Sequence, residues 1–539
     1  MCRRKKQERG SRVPVARCRQ NDIFEKLIMQ KLLSKYFLPI IILISAILAL
    51  LRFNSLQIGT SYDDAHYIIL AESLASGQGY QLINFPRPQL ERAFPPGFPL
   101  LLTPLTFLFP SNYSVLKLFS LVLWLASIYL IYKIFSKRLP SPYLEILITL
   151  VAINPLLIGT SVTVMSESAY LFFSLLALVG HATSVTTPSN EKSGWKPDLR
   201  IIFISILIFY TQLIRTIGMA LFIALILYLL FTRRFREILI SMGVFLIGTL
   251  IQRFITGLLI STGYQSQVFN SSIFEKIGQM GSNVLGYFNE ILASSLIPIF
   301  GSRLDSFLAN YNLQILIILF NIIILSMIIF GFILSIKKIS LIDFYFVIYI
   351  FGILAFWNPN VGSVKARFLI PILPFLYFYF LNGTNFFIQK LPQSNSRFST
   401  RIAIVLAIFL TIPLLARNIQ DIQNPMMNQI TDLSIGASWV AENAPADSIV
   451  MVNEPVPAYP HVQRKTIGFP KNEQDLIKYL DNQGIDYIII SPELQSSRSL
   501  DLDSFIENQI LPTLLFFPDK FIIVYENDEH NVIVFQYIK

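Results

Sequence analysis

Cysteine is almost missing from this 539-residue chain: there are two, Cys2 and Cys18, both near the N-terminus. A pair placed there supports neither a disulfide framework nor a thiolate metal site. Histidine is nearly as scarce, and His66, His181, His461 and His530 are too scattered to suggest a zinc site. Charge is short as well. Only 14% of residues are Asp, Glu, Lys or Arg, against 53% hydrophobic, whereas soluble domains carry about 25% charged residues. No P-loop is present, nor a Gly-x-Gly-x-x-Gly after a strand, so nucleotide chemistry has no visible home. The net charge of +10 does not signal nucleic acid, because no aromatic–basic interleaving accompanies it. Eleven of the basic residues fall in the first 35 positions. A basic tail ahead of an apolar span reads as a cytoplasmic anchor under the positive-inside rule. A cleavable signal peptide is not expected, since many spans follow and no small-residue cleavage site is evident.

What the chain has is hydrocarbon. Apolar runs lie near 37–52, 97–109, 113–134, 143–162, 165–182, 200–214, 216–231, 236–256, 312–336, 341–357, 367–382 and 401–417. The run 97–109 spans only about 20 Å as a helix, against a hydrocarbon core of about 30 Å. It reads as a surface or partly inserted helix. Leaving it out gives eleven spans. Lys133/Lys137/Arg138, Lys192/Lys196, Arg233/Arg234/Arg236, Lys337/Lys338 and Lys390/Arg397 then all fall on the cytoplasmic side. Counting it would put every one of them outside.

The expected architecture is an α-helical multi-pass membrane protein of about eleven spans. It has a basic cytoplasmic tail (1–35) and a transmembrane domain (36–417) with an outer loop at 53–112. A small extracytoplasmic α/β domain (418–539) follows. In that last part, 433–443 and Asn472–Asn482 have helical spacing. Ser448–Asn453, Ile485–Ser491, Phe521–Tyr525 and Val532–Ile538 read as strands. The same topology puts the polar features Asp63-Asp64, Arg92, Glu167, Arg215 and Arg367 on the outer side, with 257–311 as a long outer loop.

The pair Asp63-Asp64 follows the first span. One reading is a helix cap, with Ser61 or Asp63 as N-cap of a helix from Ala65 to Ser76. The other is a general base near the bilayer surface, its proton affinity raised by the neighbouring carboxylate and partial desolvation. Charges at this depth are costly and commonly functional. Arg87 and Arg92 flank the Pro95-Pro96 helix entry, and an outer arginine suits a lipid phosphate or headgroups in general. Glu167 either caps the helix that follows or faces the Asp pair across the bundle. Arg215 either snorkels or joins Lys365 and Arg367 in a phosphate site.

These segments, in this order, resemble the GT-C membrane glycosyltransferases, in particular the protein O-mannosyltransferase and aminoarabinose-transferase-like branch. Tyr62-Asp63-Asp64-Ala65-His66-Tyr67 is similar to that group's first-loop acidic motif, with Asp64 as second acid where Asp-Glu is usual. Phe94-Pro95-Pro96-Gly97 is similar to its His-Pro-Pro-Leu-like segment, with Phe94 in place of the His. Met165-Ser166-Glu167-Ser168 resembles the second acidic position. Arg215-Thr216-Ile217-Gly218 and the Arg367-Phe368 segment resemble Arg-containing span starts. The likeness covers roughly 40–385. It implies an inverting transfer from a polyprenyl-phosphate sugar at the outer face of the cell membrane, to a lipid, glycan or protein acceptor. Asp63 would be the base, and Asp64 and Glu167 orienting or metal-binding acids. Arg92, Arg215, Lys365 and Arg367 would meet the phosphate, with His66, Pro95 and Pro96 among the substrate contacts. No cofactor is implied with certainty; a divalent cation is left open. The competing classes are a lipid or glycolipid flippase, against which the outer α/β domain weighs, and a polysaccharide polymerase or ligase.

Overall fold

Residues 36–186, 199–256, 273–298, 314–357, 365–390, 396–425, 431–470, 476–491 and 506–539 are described by the computed structural model. The basic tail 1–35, both cysteines and Lys192/Lys196 lie outside them. After the apolar helix α1 (Tyr36–Leu51) the chain forms α2 (Asp63–Ala75), whose buried residues run unbroken from Asp64 to Ala71. A helix covered on every side needs no amphipathic stripe. A two-residue antiparallel pair, β1 (Gln81–Leu82) and β2 (Gln89–Leu90), leads to α3 (Gly97–Leu108). At 12 residues, α3 is too short to cross the hydrocarbon, as its composition predicts. It is wedged beside α2 and against the later helix Leu199–Ile214. A Cβ on Gly97 would sit 2.5 Å from the Leu213 backbone, and Tyr210 donates from its hydroxyl to the Gly97 carbonyl at 2.9 Å.

Among the described residues, five helices are long and apolar enough to cross a membrane: Tyr113–Phe135, Phe235–Phe254, Ile315–Ile336, Ala366–Lys390 and Phe398–Gln423. This is a multi-pass membrane protein. The expected single run at 143–162 is instead two helices, α5 (Tyr143–Ala152) and α6 (Pro155–Ser161), bent by 47°; α4 is Tyr113–Phe135. The bend has a local cause. Asn154 caps α6, accepting from the Leu156 and Leu157 N–H groups at 3.0 and 3.3 Å, and Pro155 supplies the first helical φ. Next come α7 (Ser166–Thr186), α8 (Leu199–Ile214), α9 (Met219–Phe231) and α10 (Phe235–Thr256).

The expected outer loop at 257–311 contains a helix in its described part, α11 (Ile273–Gly286). Asn283 ties it to α13 (Leu341–Phe356) by donating to the Leu354 and Trp357 carbonyls at 2.8 and 2.9 Å. Between them is α12 (Gln314–Ile336). It crosses α14 (Leu373–Lys390) closely enough that a Cβ on Gly331 would overlap the Tyr379 carbonyl oxygen. The last apolar run is a single helix, α15 (Ser396–Gln423), so it reaches beyond the expected end at 417.

The C-terminal part forms a five-stranded mixed sheet in the order β4-β3-β5-β7-β6. The strands are β3 (Ile449–Met451), β4 (Lys465–Ile467), β5 (Tyr487–Ile490), β6 (Phe521–Asn527) and β7 (Val532–Tyr537). β3 runs parallel to β4 and β5, and β7 antiparallel to β5 and β6. Alternating residues feed two cores. Ile488 and Phe535 join one, and Tyr487, Ile489 and Val534 join the other beneath α16 (Thr431–Asn443). The elements of this part that were not anticipated are β4, the helix α17 (Pro455–Val462), disguised by its three prolines, and the short helical stretches Ile506–Ile510 and Leu511–Phe516. The expected helix near 472–482 is α18 (Leu476–Gln483).

Gly331→Ala should cost about 1–3 kcal/mol, the usual range for overpacking. Gly243→Ala on α10, with nothing within 4 Å of the added carbon, should be near neutral. Thermal unfolding of the purified protein in detergent distinguishes the two.

Candidate active site

Four chain segments converge at one end of the bundle: the start of α2, the start of α7, the break between α8 and α9, and the 3-10 turn Ala366–Ile372. The break brings Arg215 in. It needs Gly218, whose Cβ would meet the Gln212 backbone at 2.5 Å. The 3-10 turn presents Arg367 and Phe368.

The cap reading of the aspartate pair does not hold. The N-cap of α2 is Tyr62, with no side-chain capping bond, and neither Ser61 nor Asp63 takes that role. Tyr62 sits at φ 60°, ψ −50°, a conformation of order 1–3 kcal/mol above ordinary backbone that persists where the surroundings fix it. Asp63, at the first helical position, accepts from Arg367 instead: Nη1 to Oδ2 is 2.7 Å, with the two side chains 33% and 23% exposed. Beside them Glu167 is fully buried, with Arg215 Nη1 2.5 Å from its Oε1. Arg215 also donates to Ser166 Oγ at 3.2 Å, and Ser166 Oγ lies 3.1 Å from the Tyr67 hydroxyl. Both guanidinium groups share one ring, with their central carbons 5.9 and 5.4 Å from the Phe368 centroid.

The result is two acids and two arginines of balanced charge. The partly exposed Asp63–Arg367 pair contributes about 0–1 kcal/mol. The buried Glu167–Arg215 pair is different, because removing one partner strands a charge at a cost of about 3–5 kcal/mol. Beyond Arg215, no side-chain donor among the described residues reaches the Glu167 oxygens, so acceptor capacity remains.

Asp64 faces elsewhere. It is buried, with Oδ2 accepting from the Gly59 N–H and Oδ1 from the Ala65 N–H, both at 2.9 Å. Burial pushes its carboxyl up to about 6, opposed by those two N–H groups and assisted by Asp63. His66 is buried and stacked on Phe94, centroids 4.6 Å apart, and desolvation lowers its pKa, favouring the neutral ring. Pro95 and Pro96 set the entry to α3, with Pro96 as its N-cap. Arg92 and Lys365 are exposed, and neither makes an ion pair among the described residues. Of the sequence candidates, then, Asp63, Glu167, Arg215 and Arg367 are brought together, while Asp64, Arg92 and Lys365 are not. Among the described residues no three His, Cys, Asp or Glu side chains converge as a metal cluster. Tyr67 and Phe368 were missed. Their signals were available: Tyr67 is four residues after Asp63, on the same helix face, and Phe368 adjoins Arg367.

The raised Asp64 carboxyl has a consequence for stability. Between about pH 3.8 and 6 the folded state binds more protons than the unfolded chain, so this contribution is present below pH 3.8 and lost as pH rises through 6. Asp64→Asn should therefore gain on the wild type by about 2 kcal/mol as pH rises from 4 to 7. Unfolding midpoints across that range check it.

No family model and no curated protein matches the sequence. Solved structures do. ArnT from Cupriavidus metallidurans, bound to undecaprenyl phosphate, superposes with a TM-score of 0.57 at 11% identity, covering 93% of this chain and 97% of that one. The oligosaccharyltransferase AglB from Archaeoglobus fulgidus, in complex with an inhibitory peptide and a dolichol-phosphate, gives 0.54 at 13%, covering 85% and 70%. At such identities the likeness is one of fold, and the fold is that of the GT-C membrane glycosyltransferases.

Proposed function

We propose that this protein is an inverting glycosyltransferase that moves a sugar from a polyprenyl-phosphate donor to an acceptor at the outer face of the cell membrane. The observation that carries the reading is the Asp63–Arg367 pair set beside the buried Glu167–Arg215 pair. A carboxylate poised to take a proton lies next to cations suited to a phosphate. Polyprenyl phosphates in two structures of the same fold support the choice of donor.

The chemistry follows from charge. The donor is a phosphodiester bearing one negative charge, and the leaving polyprenyl phosphate bears up to two. The acceptor hydroxyl oxygen attacks the anomeric carbon as Asp63 takes its proton. The bond from that carbon to the phosphate oxygen breaks, and its electron pair leaves with the phosphate. Attack opposite the leaving group inverts the centre. Arg367 and Arg215 stabilise charge that grows along the reaction, which lowers the barrier more than it tightens ground-state binding. At rest Arg367 is held by Asp63. An arriving phosphate competes for that guanidinium and releases the carboxylate to act as base. Glu167 keeps Arg215 oriented; Arg92 and Lys365 are surface cations for anionic headgroups on the approach.

The reading includes eleven spans with the N-terminus cytoplasmic. These are the five long helices, the bent pair α5–α6, α7, and the shorter apolar helices α1, α8, α9 and α13, with α3 outside the count. The basic tail 1–35 is then inside and the sheet domain outside. The continuous helix to Gln423 moves the start of that domain from 418 to 424.

Purified protein given a polyprenyl-phosphate sugar and membrane acceptors tests this. Asp63→Asn should lower transfer by about 10²–10⁴-fold in a normally folded protein, while polyprenyl-phosphate binding persists because Arg367 is released. Full transfer by Asp63→Asn defeats the assignment. Movement of the lipid across the bilayer without covalent transfer would instead identify a flippase.

A further inference from the structure

We propose that helix α17 of the C-terminal domain is the outer jaw of the active site and positions Asp63 by gripping the loop 58–62. The inference rests on the reading of Asp63 as base. Several contacts join the two parts. His461 Nε2 lies 2.8 Å from the Ile58 carbonyl oxygen and donates to it. Gly59 adopts φ +95°, and a Cβ there would stand 3.0 Å from the Pro457 carbonyl oxygen and 3.2 Å from Pro457 Cβ. Val456 is buried in one cluster with Ala65 and Ile69 of α2. Beyond α17, edge strand β4 is covered by the outer loop: the Thr466 N–H donates to the Asn84 carbonyl at 2.7 Å, and Asn84 Nδ2 donates to Thr466 Oγ1 at 3.2 Å. A covered edge is a fixed edge.

The grip passes inward through short steps. Gly59 donates its N–H to Asp64 Oδ2 at 2.9 Å, and its carbonyl accepts from the Tyr62 N–H at 2.9 Å. Tyr62 is the residue held in a strained conformation, and Asp63 is next. Strained backbone relaxes once its surroundings stop fixing it. Without α17 the loop would relax at Tyr62 and swing the Asp63 carboxylate relative to the reacting centre. Asp64 is thus a positioning residue between the domain and Asp63. The donor phosphate is met by Arg215 and Arg367, which belong to other segments, so losing the grip should spare donor binding.

The test uses the full-length protein in lipid nanodiscs, as wild type, His461→Ala, His461→Gln and Gly59→Ala. Gln retains an N–H donor, and Gly59→Ala pushes the loop off Pro457 without touching His461. Amide hydrogen exchange should accelerate in 56–66 for His461→Ala and Gly59→Ala, return toward wild type for His461→Gln, and stay unchanged in the strands 487–490 and 532–537. With a polyprenyl-phosphate sugar, kcat should fall about 10–100-fold for the two disruptive variants, the scale of a roughly 1 Å misplacement, with donor KM within about twofold, and recover in Gln. Unchanged exchange at 56–66 overturns the proposal, as does unchanged kcat, or a parallel loss of kcat, donor affinity and thermal midpoint. If exchange responds as described but the wild type transfers no sugar, the grip stands and the transferase reading fails.

Discussion

Two charges taken out of water must find each other, and that requirement organises the outer end of this bundle. Glu167 is fully buried at the start of α7, and Arg215 enters from the break between α8 and α9 to meet it. Neither position is tolerable alone. The rest follows from satisfying the pair. The chain breaks after Ile214 instead of continuing as helix, Gly218 permits the tight return, and Ser166, itself hydrogen-bonded to Tyr67, accepts a further bond from Arg215. Phe368 then brings Arg367 to the same place, and Arg367 reaches Asp63. A second, more open ion pair is built on a first, closed one. The closed pair holds the geometry, and the open one can exchange partners.

The two neighbouring aspartates have separated tasks because they sit on different sides of a helix start. Asp63 turns toward the arginines. Asp64 turns into the protein and holds Gly59. Their adjacency suggested either a helix cap or a general base beside a second carboxylate. The backbone at Tyr62 explains why the cap does not form: its φ of 60° sets the helix entry so that consecutive side chains diverge, and the N-cap residue is an aromatic that makes no side-chain capping bond.

Much of the membrane part was readable from composition. Long apolar runs, the short run before α4 and the clustering of unusual polar residues all correspond to observed helices and their ends. Asn154-Pro155 inside an apolar run carried a helix restart that hydropathy alone conceals. What could not be read were contacts made across hundreds of residues. Arg92 lies in a polar loop and Arg215 between two apolar runs, but neither shows its partner locally; one is exposed and the other is largely covered, set against a buried acid. The C-terminal strands at 449, 487, 521 and 532 were visible as apolar stretches. Helix α17 was not, since Pro455, Pro457 and Pro460 argue locally against a helix. Its stability comes from docking between α16 and β4 on one side and α2 on the other, a tertiary term that propensity does not contain.

The account stands on one exchange: a lipid phosphate takes Arg367 from Asp63. A density map of the protein with bound polyprenyl phosphate tests it most directly. The account predicts phosphate oxygens within hydrogen-bond reach of Arg367, about 3.2 Å or less, beside Arg215, with the Asp63 carboxylate released and facing the open side. A phosphate bound elsewhere, at Arg92 or Lys365, with the Asp63–Arg367 pair intact would contradict it.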